Sequence, residues 1–201
     1  MSYQNTWTHR MPLLLLTVVT AMGSVVTTDA QEDGFYPNTK SWGQAAVQYK
    51  DDDIHAVAAY YYSQRHHRSR WLLIEAAVST TRNMTIDRKN VTLVAPGGRT
   101  VTLPTQARVA QQVPGIRPVV QSASSTRHGV LTYFSQRGSS EPMRLFSLSS
   151  GAVLTNFVTD QYHVAHGDLF FESPTGTWEK GTYSLVIERD GARAVLPIRL
   201  E

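Results

Sequence analysis

By residue type, the positions best suited to acid–base or metal chemistry are His163 and His166, with Asp160 and Asp168 close by in the chain. An imidazole changes charge near neutral pH and is the commonest metal ligand, so a metal set of His163, His166 and Asp168 follows naturally. The spacing works against it. On an extended strand residues three apart face opposite sides, so the two imidazoles converge only if the chain bends, for which Gly167 is available. Adding Met143 or His128 would give a soft, copper-type set. The favoured reading is a pair of surface histidines beside a turn, with the metal set as the alternative.

A second group is cationic. Arg65, His66, His67, Arg68 and Arg70 lie between two predicted strands, which puts them at a hairpin tip where phosphate-bearing partners such as lipid headgroups could dock. A formal net charge of only +3, and no aromatic residue inside the run, argue against dedicated nucleic-acid binding. Just upstream, Tyr60-Tyr61-Tyr62 on a strand would place Tyr61 on one face and its neighbours on the other. At least one ring would then be exposed and free to stack on a sugar or anchor a protein. Leu169-Phe170-Phe171 poses the same question, and a central strand covered on both faces answers it. Asp51-Asp52-Asp53 lacks the alternating ligands and glycine of a calcium loop, and reads as a solvated boundary.

The familiar local signatures of catalysis are missing: no G-x-S-x-G, G-x-x-x-x-G-K, H-E-x-x-H or C-x-x-C occurs. That favours a non-enzymatic chain needing no cofactor, although an active site assembled from distant residues would leave no such mark.

The elements that must position these residues are mostly strands. The chain has 201 residues, 41% hydrophobic and 17% charged, enough for one good core. Residues 31–53 are poor in aliphatics and read as a lead-in, with Trp42 and Tyr49 tacking it down. From residue 54 to 201, β-branched and aromatic runs alternate with turn signals, as in an all-β sandwich. The predicted strands are 54–63, 71–80, 91–94, 100–103, 129–135, 143–148, 153–159, 169–172, 183–189 and 192–200, too many for one flat sheet.

Asp190-Gly191 suits a type I′ turn, and pairing residues whose numbers sum to 381 makes one face apolar and sets Glu188 opposite Arg193. Pro197 marks the last strand as an edge. Pro96-Gly97 fits the centre of a type II turn. Between Gln106 and Ser122 the apolar spacing is helical, and Pro114-Gly115 and Pro118 divide it into two short helices across an open end of the sandwich.

Ahead of all this, His9 and Arg10 precede an apolar run from Leu13 to Val26, with Thr28 and Ala30 as small residues before a cut at Gln31. This is the pattern of a secretory signal peptide over residues 1–30, with a cut after Gly23 as the alternative. The run is short for a membrane span, so none is expected after cleavage. Without cysteine there is neither a lipid anchor nor a disulfide. That favours a bacterial envelope protein, periplasmic or extracellular.

The segment Pro174-Thr175-Gly176-Thr177-Trp178-Glu179-Lys180-Gly181-Thr182-Tyr183, followed by the closing hairpin, resembles the end of immunoglobulin-like domains of exported bacterial proteins. There a G-x-W-x-x-G-x-Y turn leads into a final strand pair. The likeness covers Pro174 to Glu201 and implies architecture, a two-sheet immunoglobulin-like β-sandwich with a short helical insertion, rather than activity. The helical insertion and the lack of a cysteine pair depart from that pattern. The resulting expectation is an exported binding module whose partner is a protein or an envelope polymer, met by Tyr60 to Tyr62 or Arg65 to Arg70. An envelope enzyme or metal-handling protein is the alternative, and the oligomeric state is left open.

Overall fold

The computed structural model describes residues 36–134, 138–149 and 151–201. The predicted leader over 1–30 and its cleavage site lie outside the described residues.

The described chain is an all-β domain with helical insertions and three sheets. In order come β1 (Thr39–Trp42), β2 (Ala46–Lys50), β3 (Ile54–Ala59), α1 (Tyr61–Arg65), β4 (Trp71–Thr80), β5 (Met84–Asp87), β6 (Val91–Val94) and β7 (Thr100–Thr102). Then follow α2 (Gln106–Gln111), α3 (Val113–Ala123), β8 (Ser139–Pro142), β9 (Asn156–Thr159), β10 (His163–Glu172), β11 (Gly181–Arg189) and β12 (Ala192–Leu200). One sheet has the order β1-β2-β3-β4-β10-β8, in which only the β8–β10 pair is parallel. A second is the antiparallel set β12-β11-β6-β7, and β5 pairs with β9 alone.

Period-two alternation on β4 explains the layering. Leu72, Ile74, Ala76 and Val78 enter the main apolar cluster, which also takes Leu93, Tyr183, Leu185, Leu196 and Ile198 from the four-stranded sheet. The opposite face of the same strand is covered as well. Trp71 and Leu73, with Phe170 of β10, pack against Val109, Ile116, Val119 and Ala123 of α2 and α3. Ala77 joins Val57, Val164 and Val130, the last from a 3₁₀ turn at Val130–Tyr133. Leu169 and Phe171 turn to the main cluster and Phe170 to the helices, so β10 is the doubly covered strand that its sequence calls for.

The closing hairpin has the predicted register, Tyr183 opposite Ile198 and Glu188 opposite Arg193, with that ion pair at 3.1 Å. Asp190 and Gly191 have φ of 48° and 88°, as a type I′ turn requires. β12 is an edge, in keeping with Pro197. The resemblance motif is structural. Trp178 and Tyr183 are buried with rings in an edge-to-face pair, and the Tyr183 hydroxyl donates to Glu179 O and accepts from Glu179 N. Gly181 has φ of 138°, a region closed to other residues.

Several expectations are corrected. Residues 39–50 are not a lead-in: β1 and β2 extend the six-stranded sheet, and Ala46, Val47 and Tyr49 are buried. Tyr60 to Ser63 does not continue β3, because the chain turns into α1. The Pro96-Gly97 turn is not type II, since Gly98 rather than Gly97 takes positive φ. Ala95 N donates to Arg99 O across a three-residue loop with a left-handed last position. The 129–135 strand is replaced by the 3₁₀ turn over its described part, and 143–148 has no strand pairing. α3 runs through Pro118. Burying Ile116 and Val119, worth about 1.5–3 kcal/mol each, offsets the roughly 3 kcal/mol cost of an internal proline. The two helices lie on the outer face of β4 and β10, not across an open end.

Candidate functional site

α1 carries the chain from β3 to β4 and fixes the basic run. Where β3 ends, the buried Ser63 hydroxyl takes over its pairing with β4, accepting from Leu73 N at 2.8 Å and donating to Leu73 O at 2.9 Å. Gln64, also buried, donates to Gln44 O and accepts at its backbone oxygen from Glu201 N. From this base Arg65, His66 and Arg68 project as exposed side chains, and neither arginine is paired with a carboxylate among the described residues. The Tyr62 ring stacks on His66, centroids 4.2 Å apart and planes within 7°. His66 Nδ1 lies 2.7 Å from Tyr62 O, which holds the stack in place.

The other members of the predicted surface are committed elsewhere. Tyr60 is 4% exposed and cannot meet a partner, and half-buried Tyr61 packs beside His128 with centroids 5.2 Å apart. The strand argument for an exposed ring therefore fails because helical spacing replaces alternation. His67 accepts Trp178 N at its carbonyl. Arg70 pairs with Glu172 at 2.6 Å, and Arg108 pairs with the same carboxylate at 2.6 Å. The two guanidiniums together hold Glu172 below the usual carboxylate range, with the Arg108 hydrogen bond the larger cause. The corner thus has a surplus of positive charge even after Glu172 is counted.

At the far end of β3, Asp51 is a turn-former. Its Oδ1 accepts from Asp53 N and Ile54 N, and its Oδ2 accepts from the Tyr49 hydroxyl.

The set His163, His166 and Asp168 is not assembled. β10 stays in register through Gly167, so no bend brings the two imidazoles to one face. His163 Nδ1 is 2.9 Å from Asp160, whose Oδ1 also accepts from Tyr162 N and His163 N. Asp168 receives both ends of the Arg127 guanidinium, 2.7 Å at Oδ2. Among the described residues no group of three or more His, Cys, Asp or Glu is placed to hold a metal. His128 Nε2 meets the Tyr133 hydroxyl at 2.6 Å, and Met143 is buried under Gly167, so neither joins His166.

Two features escaped the sequence reading. Glu75, inside the apolar Trp71–Thr80 run, is a carboxylate on a covered strand face. Burial pushes it above the usual range against the pull of Arg127, which stands 3.6 Å away and bridges it to Asp168. A charge inside so apolar a run was a legible sign that a cation must come to it. The second is the wall formed by 143–148. Arg88 donates to the carbonyls of Leu145 and Leu154 and lies over the Phe146 ring, 5.1 Å from its centroid. The Gln106 amide both donates to Ser147 O and accepts from Ser147 N. Beyond the backbone bonds at Met143 and Arg144, side chains here do the work of a strand ladder, and no local pattern announces that.

No family model matches the chain, and neither does any curated protein or solved structure. The geometry alone therefore carries the functional reading. No helix among the described residues is long and apolar enough to cross a membrane.

Proposed function

We propose that the chain is an exported, non-enzymatic binding module of immunoglobulin-like β-sandwich architecture. It holds an anionic polymer of a bacterial cell envelope, periplasmic or extracellular, on the corner built from Tyr62, Arg65, His66 and Arg68. The observation that carries this reading is uncompensated positive charge on an anchored backbone: Ser63 and Gln64 are buried and hydrogen-bonded, while Arg65 and Arg68 are exposed without a carboxylate partner among the described residues, and Tyr62 stacks on His66. Exposed guanidiniums without a carboxylate partner are open to the anionic groups of a polymer, and a flat aromatic stack on the same short helix suits a sugar ring. The sandwich assignment is supported by a core shared between the two larger sheets and by β12 lying against β2 and β3. The apolar stretch with small residues before Gln31 supports export.

The test uses fluorescent dextran sulfate as the polyanion and titrates it against the chain at several salt concentrations. Arg65→Gln with Arg68→Gln is expected to weaken binding and flatten the salt dependence. Arg82→Gln with Arg189→Gln, elsewhere on the surface, is the control. Equal losses in the two double variants would sink the assignment of the corner.

A further inference from the structure

A cleft of 430 Å³ opens on the outer face of the six-stranded sheet, between α3, β10 and the 143–148 wall. Its volume falls within the range of about 300–1,000 Å³ that holds small ligands. The lining divides by chemistry. The apolar part includes Val120, Phe146, Leu148 and Phe170, with the two phenyl rings edge to face at 5.6 Å and 75°. The polar part consists of Arg144, His166 and Asp168.

Charge then decides what the rim can accept. Asp168 is already held by both ends of Arg127, so it offers no open negative charge. Arg144 is exposed and has no hydrogen-bond or ion-pair partner for its guanidinium among the described residues, and the His166 ring has none either. Arg144 also sits at φ 46°, a conformation that an arginine enters only under constraint. The constraint comes from either side: Met143 N donates to His166 O, and Leu154 N donates to Arg144 O. The backbone that carries this unpaired cation is therefore held in place at the rim of an apolar floor.

We propose that this cleft binds a small apolar carboxylate, with its hydrocarbon body on Phe146, Phe170, Leu148 and Val120 and its carboxylate on the Arg144 guanidinium. His166 stands at the same rim as a second donor. The site is separate from the basic corner and does not depend on the reading given for it.

The probe is 2-naphthoate, compared with the uncharged 2-naphthamide, by calorimetry and by amide chemical shifts on the full chain. Naphthoate is expected to bind at least about tenfold tighter than the amide, the difference a charge-assisted hydrogen bond supplies, with shifts on the residues of the cleft. Arg144→Asn keeps a residue that tolerates positive φ and is expected to remove that preference. Val120→Trp is expected to fill the cleft and abolish binding of both compounds. The comparison of the two ligands on the unaltered chain needs no variant, so it stands even where a substitution disturbs folding. Equal affinities, no saturable binding at millimolar naphthoate, shifts confined to the basic corner, or an unchanged preference in Arg144→Asn would each overturn the proposal.

Discussion

The Gln48 side-chain amide donates to His55 Nε2 at 2.7 Å, and its direction is fixed because its oxygen accepts from Trp42 Nε1 at 2.9 Å. With the amide so turned, His55 Nε2 must be an acceptor, and the ring is neutral with its proton on Nδ1. Burial, reinforced by Lys50, lowers its pKa to about 4, and the Phe134 ring 4.1 Å away adds to its cover.

That pairing sets a sign for acid sensitivity. Between pH 6.5 and about 4 the unfolded chain takes up a proton that the folded His55 refuses, so stability falls as pH falls through this window. The loss is no more than about 2 kcal/mol, since the ring is part-exposed and solvent screens it. Urea unfolding of the chain and of His55→Gln at both ends of the window measures it. The variant should lose less stability on acidification, and parallel curves would refute the account.

Gly181→Ala should destabilise the fold by about 1–3 kcal/mol. The position has φ of 138°, and an added Cβ would come within 3.0 Å of Pro96 Cγ, in the turn that begins the β6–β7 loop. A thermal midpoint unchanged from the parent would show that this backbone relaxes at no cost.

Ser63→Ala should remove about 1–3 kcal/mol by leaving both backbone groups of Leu73 without their partner in a buried setting. The same variant should weaken dextran sulfate binding while all the corner arginines are retained, because α1 loses its tie to β4. Unaltered polymer affinity in a measurably destabilised variant would mean that rigidity of the corner is irrelevant to capture.

Glu172→Gln should act in opposite directions on fold and surface. It releases Arg70 and Arg108, so polymer binding should tighten severalfold while the denaturation midpoint at neutral pH drops. The carboxyl's pKa is depressed in the fold, so its stabilisation is present above its ordinary range and is lost as pH falls through the lowered value. Parent and variant should therefore converge in strong acid. A variant with weaker polymer binding at neutral pH would contradict the charge argument.

How much was legible in the sequence depended on where the pairing information lay. The Tyr183 to Leu200 hairpin was readable in full because turn type, alternation and cross-strand charge all agree locally. The Trp71–Thr80 strand was equally plain, and the covered Leu169-Phe170-Phe171 followed from its unbroken apolarity. Tyr60 to Arg65 misled because a β-like composition was overruled by Ser63, whose hydroxyl is satisfied only if the chain curls over Leu73. Met143 to Leu148 misled likewise, since its alternation is real but its backbone is held by Arg88 and Gln106 from distant parts of the chain. The cleft bordered by Arg144 could not be read, because its walls come from three elements far apart in sequence.

The way the 143–148 wall is held has a consequence for local opening. Met143 N is tied to His166 O of β10, but Ser147 N is held by the Gln106 side-chain oxygen, so hydrogen exchange at Ser147 reports the release of a side-chain clamp, not the unzipping of a sheet. Beyond Met143 the wall can open while every strand pair stays intact, and the free energy of that excursion is set by the Arg88 and Gln106 contacts and the Leu154–Arg144 backbone bond instead of by the global unfolding equilibrium.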